Sequence, residues 1–141
     1  MITISLSEIV REAQKIQKKA DKVAWLKKHD SKDLRTILYI MYNKNIKLNI
    51  PSSPPPYTPS TIDESHGMLY RETRKLVYFV VGGQGDGLKQ NRREALFIQM
   101  LETVDKEDAL LILDMIAQKP LKGLTHKTLT DAFGENFLPK D

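Results

Sequence analysis

The sequence predicts an all-α protein, a compact bundle of six to seven short helices. Three observations support this fold class. Apolar residues recur three and four positions apart in most of the chain. Residues that commonly cap helix starts precede several of these segments. Apart from residues 69–80, the chain offers no candidate for a β-strand.

The first half predicts two or three helices. Ser5 and Glu8 have the spacing of a capping box, so the first helix is expected to start there. A second helix, or a continuation of the first, is expected around residues 23–26. Asp30 or Ser31 is placed to cap the third helix. The apolar positions of the first and third helices are Leu6, Ile9, Val10, Ala13, Ile16 and Ala20, and Leu34, Ile37, Leu38 and Met41.

A proline-rich stretch divides the chain. Residues 51–60 contain five prolines, so neither a helix nor a central strand continues there. We interpret this stretch as a stiff connector, with a ligand for proline-recognising modules as the alternative. The expected organisation is a single helical domain over residues 1–141, with a first helical half in 1–50 and a second in 61–141.

The stretch "LYRETRKLVYFV" (69–80) ends in β-forming residues, but its apolar positions have helical spacing, and Glu72 and Lys75 can pair across it. The following "GGQGDG" lacks the G-x-G-x-x-G spacing and has no Gly-Lys-Ser/Thr after it. We therefore predict a helix that ends at Gly82 and Gly83, and no phosphate loop.

The remaining helices are predicted over residues 95–104 and 105–119, and from a Thr125 cap to a stop at Gly134. With 141 residues, of which 40% are hydrophobic, the chain is long enough to bury a core without covalent staples.

Composition excludes several classes of protein. The chain has no cysteine, which rules out disulfides, thiolate metal sites and thiol catalysis. No signal peptide or run of eighteen apolar residues is present, so we expect a soluble, cytoplasmic protein.

No nucleophile elbow is present, and the three histidines are far apart. Residues 63–66, "DESH", resemble a metal site only weakly and are explained as a polar turn. We therefore expect no enzymatic activity, catalytic residue, metal or cofactor.

The charge is unevenly distributed. Residues 11–47 carry eleven Lys/Arg and four Asp/Glu, whereas the rest carries eleven and fourteen, for a net charge of +4. A basic third favours a polyanion on one face, and the alternative is a lysine-rich, solvated helix surface.

The segment before the last predicted helix is the best candidate for an anion site. Lys119 and Lys122 precede the Thr125 cap, and Lys127 lies in the first turn, where the helix dipole disfavours a cation. Gly123 would let a ligand approach the backbone. The alternative is an ordinary corner between two helices.

The order of these segments resembles the N-terminal, all-helical DNA-binding domain of ATP-dependent DNA ligases, particularly the T-even bacteriophage type. The resemblance covers "SEIVREAQKIQKKADKVAWLKKHDSKDLRTILYIMYNKNIKLNI", "SHGMLYRETRKL", and the run from "ALLILDMI" into "PLKGLTHKTLTDAFGENFLP". In that family the domain encircles duplex DNA together with the catalytic domains and contacts the backbone and minor groove. The resemblance implies DNA-facing positions at Asn43, Lys44 and Lys47, and at Lys122, Gly123, Thr125, His126 and Lys127.

The chain also departs from that family. The sequence ends at Asp141 without the K-x-D-G motif of the catalytic domain, and the nearest string, Lys19-Ala20-Asp21-Lys22, lacks the glycine. Lys122 stands where the family often has arginine, which forks to hold phosphate. Beyond the glycines, Lys89, Arg92 and Arg93 would either extend a phosphate track or be solvated.

We therefore expect a non-enzymatic, phage-encoded module of the host-cell cytoplasm that contacts the sugar–phosphate backbone and minor groove of double-stranded DNA. The alternative is a protein–protein interaction module that reuses this scaffold in a viral replication, transcription or packaging assembly, with a viral or host protein as its partner.

Overall fold

A computed structural model describes residues 5–50, 55–58 and 68–138. These ranges form seven α-helices and two 3₁₀ helices, and the all-α prediction is confirmed. Within them the β contact is an isolated antiparallel bridge between Leu48 and Val80. The α-helices are α1 Leu6–Lys15, α2 Lys19–Lys28, α3 Lys32–Tyr42, α4 Met68–Glu72, α5 Gln90–Thr103, α6 Lys106–Ile116 and α7 His126–Phe133, and the 3₁₀ helices are Thr73–Phe79 and Gln84–Gly87.

The predicted helix caps are confirmed. Ser5, Ser31 and Thr125 each accept a hydrogen bond from the backbone N–H three residues later, at 3.3, 3.1 and 3.2 Å. These bonds satisfy amides that a helix start otherwise leaves without a partner, which explains where α1, α3 and α7 begin. Ser31, rather than Asp30, is the cap of α3.

The first helix is shorter than predicted. It ends at Lys15, because Ile16 adopts extended backbone angles, and α2 starts separately. The break lets α2 pack mainly against α7, so tertiary contact overrides the local apolar pattern.

The helix predicted over residues 69–80 continues only to Glu72 and then tightens into a 3₁₀ helix. Val80 is extended and pairs with Leu48, as its β-branched side chain favours. The predicted Glu72–Lys75 pair forms at 2.7 Å.

A continuous hydrophobic core joins the two halves of the chain. It includes buried residues from α1 through α7, and α6 packs against α1, α3 and α5. Of the proline-rich stretch, the structure describes residues 55–58. Tyr57 packs against the core, and the Thr58 N–H donates to Glu102 Oε2 at 2.7 Å. The rest of the connector, and with it the proline-ligand alternative, lies outside the described residues.

Hydrogen bonds from Arg93 hold the glycine-rich loop, residues 82–87, and the residue after it. Arg93 is only 7% exposed and donates to the carbonyl oxygens of Gly85 and Leu88 at 2.9 and 3.0 Å. The prediction that the helix ends at Gly82 and Gly83 is wrong, because the 3₁₀ helix ends at Phe79 and Val80 is extended. Gly82, with φ +90°, lies in the turn that follows Val80. The expectation that Arg93 extends a phosphate track or is solvated is wrong, because its guanidinium is buried against the loop's own backbone.

Candidate nucleic-acid interface

The structure places the loop after α3 beside the segment that joins α6 to α7. The link is the side chain of Gln118. Its amide nitrogen lies 3.1, 3.0 and 3.1 Å from the carbonyl oxygens of Ile40, Asn43 and Ile46. Because these carbonyls lie at and beyond the end of α3, one side chain satisfies acceptors that the helix leaves without partners. The two segments are therefore fixed side by side.

The Gln118 backbone is itself unusual. It has φ +50°, the left-handed region that non-glycine residues rarely adopt. Its carbonyl oxygen accepts a hydrogen bond from the Lys44 ammonium. A left-handed non-glycine residue costs about 1–3 kcal/mol, and such a conformation persists where surrounding contacts enforce it. Here the contacts of Gln118 with the α3 end and with Lys44 do so.

Tyr42 makes a second link between the same two segments. Its hydroxyl donates to the Leu124 carbonyl at 2.5 Å and accepts from the Leu121 N–H at 2.9 Å. Burial raises the pKa of Tyr42, partly offset by the bond from Leu121, so the hydroxyl keeps the proton that it donates.

The segment is also anchored by the first two helices. Gln14 donates to the Lys122 carbonyl at 2.8 Å, and the Lys22 ammonium donates to the Gly123 carbonyl at 2.5 Å. Gly123 has φ +84°, which explains the glycine. The space next to the Gly123 backbone is taken by atoms of Lys22 and Gln14. The expectation that a ligand approaches the backbone at Gly123 is therefore revised.

These contacts gather lysines from four parts of the chain into one region, which we call the basic corner. Five of its members are exposed and Lys22 is half-buried. The described residues form five ion pairs, and no corner lysine belongs to any of them. The basic corner consists of Lys22, Lys44, Lys47, Lys119, Lys122 and Lys127.

The surface between α2 and α7 adds further positive charge. Asp131 pairs with Lys19 at 2.7 Å. The pKa of Asp131 is held below its ordinary value, first by the hydrogen bond from Lys19 and then by attraction to Lys19, Lys127 and Lys27. One carboxylate therefore lies among at least three ammonium groups, and the local charge stays positive.

The predicted site residues divide into exposed and supporting positions. Lys44, Lys47, Lys119, Lys122, Thr125 and Lys127 are exposed, and His126 is half-buried in the first turn of α7. Asn43 is buried at 5% exposure, and its side-chain oxygen accepts from the Asn45 N–H at 3.0 Å. Asn43 thus shapes the loop and does not face a partner, which corrects the expectation for this residue.

Sequence reasoning missed the residues that assemble the corner. Gln14, Lys22, Tyr42 and Gln118 make their decisive contacts with residues 72 to 108 positions away. No local spacing signals such contacts. The sequence offers one signal for these residues: Gln118 and Lys119 are polar and come shortly after the last apolar residue of α6, where the chain leaves the helix.

Other candidate sites are weaker. Among the described residues, no group of three His, Cys, Asp or Glu side chains could hold a metal ion, and residues 63–66 lie outside that part of the chain. No helix in the described ranges is long and apolar enough to cross a membrane. An open groove of about 520 Å³ lies along α3, lined among others by Arg35, Tyr39 and Phe137.

Comparison with known proteins gives one match. The profile of a family of unknown function, DUF6433, matches residues 9–122. That range contains the loop after α3 and the segment through Lys122. No curated protein matches the chain, and neither does any solved structure. Nothing in these comparisons links the chain to DNA ligases. Because the match covers most of its length, the chain belongs to the DUF6433 family.

Proposed function

We propose that this protein is a non-enzymatic DNA-binding module that holds the sugar–phosphate backbone of duplex DNA on the basic corner. The observation that carries the proposal is the double link by Gln118 and Tyr42, which fixes the loop after α3 beside the segment before α7. Exposed lysines separated by some 75 residues in sequence thereby lie on neighbouring segments, and contact of both segments with one phosphate ridge is what the proposal adds.

The electrostatics support a polyanionic partner. Lys47, Lys119 and Lys122 have no carboxylate partner among the described residues, so binding to phosphate breaks no internal ion pair. An ammonium group is a compact point charge without forked geometry, which suits backbone contact with little sequence preference. Lys127 stands in the first turn of α7, where the dipole disfavours it, and a bound anion would offset that cost.

A protein-interaction role is the second candidate. The groove along α3 exposes Tyr39, whose ring lies 6.1 Å from that of Phe137, and Arg35 stacks 5.4 Å above Phe133. Tyrosine and arginine are common energetic centres of protein interfaces. The phage origin, the viral or host partner and the cytoplasmic location stay predictions.

The salt dependence of duplex binding tests the first proposal. If the corner neutralises three to five phosphates, affinity falls roughly 40- to 500-fold between about 50 and 200 mM salt. A dissociation constant that does not change with salt contradicts the proposal. If the chain then binds a protein partner but no DNA, the protein-interaction role of the groove along α3 is favoured.

A matched pair of charge reversals localises the contact. Lys122→Glu with Lys127→Glu should reduce the slope of log affinity against log salt by about two and weaken binding to all sequences alike. The control is Lys32→Glu with Lys106→Glu, the same charge change at the first residues of α3 and α6. Each control residue lies roughly 16 Å of helix away from the corner. Equal losses in both variants would contradict the proposed site.

The packing makes this control a fair one. Gln118 joins the end of α6 to the end of α3, and these two helices pack along each other. The amino ends of α3 and α6 therefore lie together, at the opposite end from the basic corner.

A further inference from the structure

The short segment 77–81 carries two exposed valines beside the loop after α3, and we call this segment the apolar tip. Large hydrophobic side chains are exposed at four described positions, and Val77 and Val81 are 44% and 54% exposed. The Val81 N–H donates to the Lys47 carbonyl at 2.8 Å, so this tip adjoins a predicted phosphate-binding lysine. The other two positions, Tyr39 and Leu110, lie on α3 and α6.

The backbone under this tip is fixed. The Gly83 N–H donates to the Val80 carbonyl at 3.1 Å, and the Gly82 N–H donates to Asp86 Oδ2 at 2.8 Å. A Cβ at Gly83 would lie 2.5 Å from the Val77 carbonyl oxygen, so the turn also packs against the 3₁₀ helix. The valines are therefore presented by hydrogen-bonded backbone and need little ordering on binding.

Cations flank the valines. Lys47 is exposed beside Val81, and Arg74 is exposed three residues before Val77. Residues three apart in a 3₁₀ helix lie over one another, so Arg74 and Val77 share a face. A side chain at Gly82 would meet nothing within 4 Å, which leaves open surface beside the tip.

We propose that Val77 and Val81 enter a widened minor groove while Lys47 and Arg74 hold the flanking phosphates, so that the protein selects easily deformed duplex DNA. This inference rests on the proposed function. Minor-groove proteins combine apolar side chains at a base step with basic residues at the phosphates. The groove is only about 6 Å wide in B-DNA, so entry requires a sequence that opens at low cost.

The size of the tip favours DNA over a protein partner. Stable protein interfaces bury on the order of 1,000 Å² or more, which two valine side chains do not supply. A pair of apolar groups between cations matches a base step between two phosphate chains instead.

The test uses two duplexes of equal length, one with central TA steps and one with a central A-tract. Wild type should bind the TA duplex roughly 3- to 10-fold more tightly, because TA steps deform easily and A-tracts are stiff and narrow. Val77→Ala with Val81→Ala should lose this preference with an unchanged salt slope, since no phosphate contact is removed. Leu110→Ala, which truncates a side chain with 52% exposure on α6, is the matched control and should bind as wild type does.

Two results separate this inference from the proposed function. If the double valine variant keeps the TA preference at a normal salt slope, the apolar tip does not enter the groove, and the phosphate-binding proposal stands. If wild type shows no salt-dependent binding to either duplex, both proposals fail. Unchanged thermal unfolding of the valine variant excludes misfolding as the cause of a loss.

Discussion

The glycine-rich loop and the segment before α7 differ in where their cations lie. In the glycine-rich loop, Arg93 is buried and donates to the loop's own carbonyls. In the basic corner, Lys47, Lys119 and Lys122 are exposed and have no carboxylate partner in the described residues. The cation of the glycine-rich loop is thus used inside the fold, whereas these three lysines of the basic corner have no ion-pair partner in the described residues.

The comparison shows that glycines alone do not identify an anion site. Gly85 is required because a Cβ there would lie 1.9 Å from the Tyr78 carbonyl oxygen. Gly123 is required by its φ of +84°. Each glycine serves the close packing of the chain on itself, so the available charge, and not the glycine content, distinguishes the two segments.

The largest expected effect comes from Gly85→Ala. Its Cβ meets backbone, which cannot move aside as a side chain can, so we expect a loss of about 3 kcal/mol or more in the free energy of unfolding. Gly87→Ala in the same loop is the control, because nothing lies within 4 Å of its Cβ. Urea denaturation measures both, and equal stability of the two variants would contradict the loop's described packing.

Tyr42→Phe should have the next largest effect. It removes a hydroxyl that satisfies the Leu121 N–H and the Leu124 carbonyl, for an expected loss of about 1–3 kcal/mol. DNA binding should weaken as well, because the segment before α7 loses its link to α3. Tyr39→Phe is the control, since that hydroxyl makes no hydrogen bond in the described structure. A Tyr42→Phe protein as stable as Tyr39→Phe would mean that the hydroxyl is not a link.

A smaller effect distinguishes a lysine whose ammonium group makes a hydrogen bond within the fold from a lysine that makes none in the described residues. Lys44→Ala removes a hydrogen bond to the Gln118 carbonyl and should cost about 0.5–1 kcal/mol of stability. Lys47→Ala should leave the free energy of unfolding unchanged and affect only DNA binding. Chemical denaturation and a binding titration on the same two proteins check this. A stability loss in Lys47→Ala equal to that in Lys44→Ala would remove the distinction.

The smallest expected effect concerns pH. Because Lys19 holds the pKa of Asp131 below its ordinary value, folding favours the ionised carboxylate. The resulting stabilisation is present above the unfolded-state pKa and is lost as pH falls through the folded-state pKa. The melting temperatures of wild type and Asp131→Asn should therefore differ slightly at neutral pH and converge in acid. A difference that grows on acidification would contradict this pairing.

Local signals predicted much of the fold. The Ser5, Ser31 and Thr125 caps each satisfy a nearby amide, so short sequence patterns sufficed to place three helix starts. The break at Ile16 and the 3₁₀ helix at Thr73–Phe79 were not predictable in this way, because packing between distant segments decides both.

The candidate site was predictable only in part. The exposed lysines could be named from charge and their positions near helix ends. The contacts that unite them run from Gln118 to Ile40 and from Tyr42 to Leu124, and no short-range periodicity encodes them. The inward position of Asn43 likewise depends on how the loop after α3 closes on itself.

The most direct test of the central claim is the salt slope of duplex binding for Lys47→Glu, Lys122→Glu and the double variant. If the loop after α3 and the segment before α7 contact one DNA backbone together, each single change lowers the slope by about one and the double change by about two. Slopes equal to the wild-type value in all three proteins would contradict the basic corner as a DNA-binding surface.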